Sequence, residues 1–288
     1  MTEPRLRHVQ CLDGQGLHRM AYWEWGDPRC ASVVVCVHGL SRQGRDFDTL
    51  AAALCDQVRV VCPDVVGRGQ SDWLADPMGY SIPAYVADMV SLLARLDAEV
   101  VDWVGTSMGG LIGLGLAAQA GSPLRRLVLN DVGPTLEPVS LARIGSYLGQ
   151  PAHWASVDEA ADALLAISQG FGPHTREQWL TLTGPQLKPD GSGFKPHYDP
   201  AIALPFRQIT PALAKAGEAA LWALYDHLRI PVLLLRGAQS DLLSVTTAQA
   251  MTERGPKARL VEFAGVGHAP MLIQPEQRQA VVDFLQAP

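Results

Sequence analysis

The five residues Gly105-Thr106-Ser107-Met108-Gly109 constrain this chain more than any other stretch. An apolar run with strand character, Val100-Val101-Asp102-Trp103-Val104, leads into them, and a small-residue helix, Gly110-Leu111-Ile112-Gly113-Leu114, leads out. A strand, a sharp turn and a helix in that order strain the serine backbone and lift its Oγ clear of the main chain. A Cβ at either flanking glycine would collide with the neighbouring strand or helix. The pattern alone arises by accident in roughly one chain in ten of this composition, so the context on both sides carries the weight.

A chain of 288 residues that is 48% hydrophobic and 18% charged can bury a sizeable core. It has the length of one domain, or of one domain carrying an insertion, and wholesale disorder is excluded. A net charge of −6 with no basic stripe argues against a nucleic-acid partner. The N-terminal segment Met1–Arg7 is charged and no apolar run of signal-peptide length follows it, so neither secretion nor membrane insertion is expected. The longest apolar stretch, Val100 to Ala118, is interrupted by Asp102 and by glycines and reads as strand plus helix, not as a span. Cys11, Cys30, Cys36, Cys55 and Cys62 are odd in number, show no Cys-x-x-Cys spacing and mostly sit in apolar runs. They read as small buried hydrophobes in a reducing cytoplasm, not as disulfides or a metal site.

Strand-like and helical runs alternate along the chain. The expected strands are His8–Leu12, His18–Trp25, Ser32–Val37, Val58–Cys62, Val100–Val104 and Leu127–Asn130, then Ile230–Arg236 and Ala258–Phe263. The first two read as antiparallel edge strands joined around Asp13-Gly14. The others, separated by helices, predict a mostly parallel eight-stranded sheet covered on both faces. After Asp131-Val132-Gly133-Pro134 the rhythm breaks, and residues 135–225 become helical, aromatic and punctuated by proline. This block reads as a cap inserted after the sixth strand, with residues 1–134 and 226–288 forming the core domain. Within it, Lys188–Lys195 carries Pro189-Asp190-Gly191-Ser192-Gly193 and reads as a turn or exposed loop.

A serine hydroxyl needs a base, and the base needs an orienting acid. His268 is placed for the first role, in the glycine-rich loop Gly265-Val266-Gly267-His268 past the last strand, at the sheet's carboxyl edge where ligands bind in open α/β sheets. Asp241, beyond the penultimate strand, is the preferred acid; Asp131, at the end of the strand before it, is the rival. Two backbone N–H groups are needed for an oxyanion, and Met108 and Leu40 supply them. His38, in the same loop as Leu40, reads as structural, as do Asp64–Ser71, whose glycines allow a tight turn. Arg42 and the aromatic residues Tyr147, Trp154 and Phe171 are candidate pocket residues; Arg45 could also border the pocket, and Trp179, Trp222 and Tyr225 add further aromatic surface.

Together these residues resemble the α/β-hydrolase superfamily in its capped serine-esterase form. The order Ser107, Asp241, His268, the His38-Gly39-Leu40 loop, the Asp64–Ser71 turn and the mid-chain cap carry the resemblance from about residue 17 onward. It implies acyl-enzyme chemistry on a small-molecule ester, lactone or thioester, with water as second substrate and no cofactor. Dehalogenases and epoxide hydrolases of this fold carry Asp where Ser107 stands, and the His-Gly-Gly-Gly oxyanion loop is not matched by Leu40. Two alternatives stay open: a carbon–carbon bond hydrolase acting on a vinylogous diketone, whose Ser-Met-Gly-Gly elbow is similar, and a receptor-like small-molecule binder.

Overall fold

A computed structural model describes residues 3–98 and 100–287; Met1 and Thr2, the start of the charged N-terminal segment, lie outside the described residues, as do Glu99 and Pro288. Eight strands form one sheet: β1 (Arg5–Asp13), β2 (Gly16–Trp25), β3 (Val33–Val37), β4 (Arg59–Pro63), β5 (Val101–Thr106), β6 (Leu124–Asn130), β9 (Val232–Gly237) and β10 (Arg259–Phe263). Their order is β1-β2-β4-β3-β5-β6-β9-β10. β1 pairs antiparallel with β2 and β2 antiparallel with β4, while the remaining pairs are parallel. β2 is therefore interior to the sheet, not an edge strand: its partners Tyr22↔Pro63 to Trp25↔Val60 extend the hydrophobic run onto β4. His18 Nε2 lies 3.1 Å from both carboxylate oxygens of Asp88, which pins β2 to the helix carrying Asp88.

All five residues of β3 and all five of β4 are buried, as the apolar runs require when helices cover both faces. Alternation sorts them. Val33, Val35 and Val37 face the layer of α2 (Ile82–Leu96) and α3 (Met108–Ala117), through Met89, Leu92, Ile112 and Leu116. Val34 and Cys36 face the layer of α1 (Asp48–Leu54) and α10 (Pro275–Gln286), through Leu50, Leu54, Val281 and Phe284. All five cysteines are free thiols, and Cys11, Cys36 and Cys62 are buried.

Between β6 and β9 the chain forms α4 (Pro138–Tyr147), α5 (Val157–Ile167), α6 (Arg176–Thr183), the strands β7 (Leu187–Asp190) and β8 (Gly193–Pro196), α7 (Ala203–Arg207) and α8 (Pro211–His227). α9 (Val245–Glu253) then connects β9 to β10. Lys188–Lys195, expected as a turn or exposed loop, is a turn flanked by two short strands that pair as an antiparallel hairpin. Gly191 makes the turn at φ +57°, and Trp154 and Phe194 exchange N–H···O bonds of 2.9 and 2.8 Å that give the short ladder a third partner. α8 runs to His227, and Tyr225 near its end is buried against the core with its hydroxyl on the Met251 carbonyl. Among the described residues no helix is long and apolar enough to cross a membrane.

Candidate active site

Ser107 sits at φ 52°, ψ −116°, a conformation that an L-residue enters only under constraint. The constraint is close packing. A Cβ on Gly109 would overlap the Val37 carbonyl, and one on Gly105 would overlap the Gly109 main chain, so β3, β5 and α3 approach as tightly as backbones can. Ser107 N–H donates to the Asn130 carbonyl at 3.0 Å, which ties the turn to the end of β6.

His268 bridges two side chains. Its Nε2 lies 3.0 Å from Ser107 Oγ and its Nδ1 lies 2.7 Å from Asp131 Oδ2. A carboxylate only accepts, so the proton sits on Nδ1 and the Nε2 lone pair faces the serine hydroxyl. Asp131 is fully buried and also accepts from Gly237 N–H at 2.8 Å and from Ser240 Oγ at 2.6 Å. The histidine loop is fastened on two sides: Asn130 Nδ2 donates to the Pro270 carbonyl at 2.7 Å, and Gly267 N–H to the Gly170 carbonyl at 2.7 Å.

Asp241, the preferred acid on sequence grounds, does not hold His268. Its carboxylate takes Nε and Nη2 of Arg143 on α4 at 2.7 and 3.0 Å, and its side chain is 37% exposed. Burial pushes the Asp241 carboxyl up, but the Arg143 hydrogen bond and charge outweigh it and hold the group below the usual carboxylate value. The residue partnering Nδ1 is the rival, Asp131.

The loop after β3 passes over Ser107. Gly39 is the close neighbour, where a Cβ would stand 3.7 Å from the serine Cβ. Met108 is the first residue of α3, so its N–H has no partner within the helix, and among the described residues no acceptor meets the N–H of Leu40 or Met108. His38 is buried with Nδ1 2.7 Å from the Gly39 carbonyl oxygen and Nε2 accepting from Val65 N–H at 2.9 Å. Burial pushes it down to about 3, so it stays neutral and structural. Asp64 accepts from Gly44 and Gln70 N–H at 2.8 and 2.9 Å; burial nonetheless raises its carboxyl to about 6.

A cavity of about 330 Å³ opens over Ser107 and His268, at the small end of the range for small-molecule sites. Arg42, Tyr147, Trp154 and Phe171 all line it, with Arg143, Tyr198 and Met271. Arg42 is not a free cation there: it pairs with Asp46 at 2.6 Å and stands over the Phe171 ring at 5.6 Å. Arg45 lies outside the lining, paired with Asp48 at 2.6 Å and stacked on Trp23. Trp179 stacks behind Phe171, while Trp222 and Tyr225 pack against each other away from the cavity. Arg143, Tyr198 and Met271 escape a sequence reading because no local pattern separates pocket-facing residues from surface or core ones.

Residues 34–284 match the alpha/beta hydrolase family. Over 280 residues, 96% of each chain, the sequence is 56% identical to a 3-hydroxybutyrate-oligomer hydrolase of Cupriavidus necator. An alpha/beta hydrolase structure from Novosphingobium aromaticivorans is 36% identical and superposes with a TM-score of 0.87, covering 99% of both chains. A putative hydrolase structure from Rickettsia typhi superposes at 0.89 with 28% identity over the whole of both chains.

Proposed function

This chain belongs to the alpha/beta hydrolase family and is a hydrolase acting on ester bonds; from that premise we propose that it cleaves short oligoesters of 3-hydroxybutyrate type by acyl transfer through Ser107. The observation that carries the chemistry is His268 standing between Ser107 Oγ and Asp131 at 3.0 and 2.7 Å. His268 Nε2 takes the serine proton as Oγ adds to the ester carbonyl, and the Met108 and Leu40 N–H groups receive the oxyanion. The protonated Nε2 then delivers its proton to the departing alkoxide, leaving an acyl-enzyme. Water enters by the same route in reverse roles, releases the hydroxy acid and restores Ser107. Asp131 fixes the tautomer and stabilises the imidazolium throughout.

The substrate class rests on the extent of the similarity to the Cupriavidus necator hydrolase, which spans 96% of both chains. The small apolar-walled cavity is in keeping with a few repeat units and not with a long polymer strand. Incubating the protein with 3-hydroxybutyrate dimer and trimer should release monomer, and Ser107→Ala should abolish release while keeping the fold. A fluorophosphonate should label Ser107 alone. Cleavage of a vinylogous diketone in place of the oligomers would reassign the enzyme to carbon–carbon bond hydrolysis; binding of oligomers without turnover would make it a receptor-like binder.

A further inference from the structure

Arg68, on the turn Gly67-Arg68-Gly69 after β4, is fully buried, and among the described residues no carboxylate lies within ion-pair distance of its guanidinium. Its Nε donates to the Leu40 carbonyl at 2.8 Å, and its Nη1 donates to the Val66 carbonyl at 2.7 Å and to the Tyr85 hydroxyl at 2.9 Å. Its Nη2 reaches Met108 Sδ at 3.6 Å. The cation also stands over the rings of Tyr80 and Tyr85, at 5.6 and 5.1 Å from their centroids. An acid enters this network only at one remove, where Tyr80 donates its hydroxyl to Asp199 at 2.6 Å. One buried cation therefore touches both residues whose amides are assigned to the oxyanion.

A buried charge without a counter-ion is costly in the resting protein. A neutral ester in the pocket does little to relieve that cost. A tetrahedral intermediate brings a full negative charge beside Leu40 and Met108 and relieves it selectively in the transition state. We propose that Arg68 is a positioning residue for the oxyanion site that also lends it fixed positive charge from beneath. The proposal rests on the Ser107 acyl-transfer reading above. Arg68 holds Leu40 through its carbonyl and bears on Met108 through its sulfur, and the same turn carries the cap edge, with Gly69 N–H on the His197 carbonyl and Asp199 N–H on the Gly67 carbonyl.

The test compares wild type with Arg68→Met, Arg68→Lys and Tyr85→Phe, reading kcat and KM on p-nitrophenyl butyrate and the inhibition constant of n-butylboronic acid, which forms an anionic tetrahedral adduct on serine. Arg68→Met should lower kcat by about thirtyfold, with KM changed less than about threefold and boronate affinity weakened in step with kcat. Arg68→Lys should recover part of both losses, because the charge remains while the fork is lost. A folded Arg68→Met protein of lower melting temperature, but with wild-type kcat and boronate affinity, would reduce Arg68 to a structural residue. If Arg68→Met does not fold, Arg68→Lys and Tyr85→Phe decide the matter: both should lower kcat and boronate affinity together, and parity with wild type in both overturns the proposal. Wild-type boronate binding that survives Ser107→Ala would instead remove the Ser107 reading, a failure distinguishable from that of Arg68.

Discussion

Two aspartates stand at the carboxyl ends of neighbouring strands, and the fold treats them oppositely. Asp131, after β6, is fully buried and accepts three hydrogen bonds, from Gly237 N–H, Ser240 Oγ and His268 Nδ1. Asp241, after β9, is part-exposed and pairs with an arginine from the helical insertion. Ser240, one residue before Asp241, is itself spent on Asp131, so the loop that was expected to supply the acid serves as a clamp for the acid of its neighbour. A carboxylate orients an imidazole where donors and burial hold it rigid; the one that meets solvent and the Arg143 guanidinium is suited to joining the segment between β6 and β9 to the core.

The comparison is broken most directly at Asp131. Asp131→Asn should lower kcat on an activated ester by about four orders of magnitude, because the amide neither fixes the His268 tautomer nor stabilises its positive charge. Substantial activity in this variant, with Asp241→Asn crippled, would reverse the assignment.

A second contrast of burial can be read through pH. Buried His38 stays neutral in the folded protein down to about pH 3, while the unfolded histidine takes up a proton near 6.5, so stability from this site is present at neutral pH and is lost as pH falls through that window. Asp64 acts with opposite sign: its folded value of about 6 lies above that of the unfolded chain, so the folded state gains as pH falls below 6. Between pH 6.5 and 4.5 the His38 loss amounts to about 2 kcal/mol. Urea melts of His38→Gln should lack that loss, and an unchanged pH slope would show that His38 is not held neutral.

Smaller effects belong to the insertion. Phe171→Ala removes a ring stacked on Trp179 and capped by Arg42, and should raise KM for a trimer by about tenfold with kcat nearly kept. A fall in kcat alone would place Phe171 outside substrate binding. Least of all, Asp241→Asn should change kcat less than about fivefold, the scale of a part-exposed ion pair, and Arg143→Ala should match it if the two act only as a pair.

The strands and the strained turn that carries Ser107 were legible in the chain because they depend on short-range geometry. Gly105 and Gly109 must be glycine for β5 to turn into α3 against β3, and the apolar runs of β3 and β4 have the length and continuity of strands covered on both faces. His268 was equally legible, as a histidine in a glycine loop after the last strand. Residues 188–195 showed their turn but not the two strands flanking it, because four-residue strands carry little periodicity and the Trp154–Phe194 bridge that fixes them joins segments forty residues apart. Asp64–Ser71 reads as a structural turn from its glycines, but the contacts of Arg68 to Leu40, Tyr85 and Met108 were not legible, because they join it to residues 17 to 40 positions away.

What the sequence determined by itself was the order of the elements and the chemistry they can present at one edge: a strained serine, a histidine, and two acids within reach. Which acid faces the histidine was decided only by tertiary structure. Asp131 and Asp241 both follow strands of the same parallel sheet, and no local pattern distinguishes them. The choice is made by contacts across 137 residues of chain to His268 and across 98 residues from Arg143, where burial and hydrogen-bond donors arrive only once the sheet has closed and the insertion has settled on it.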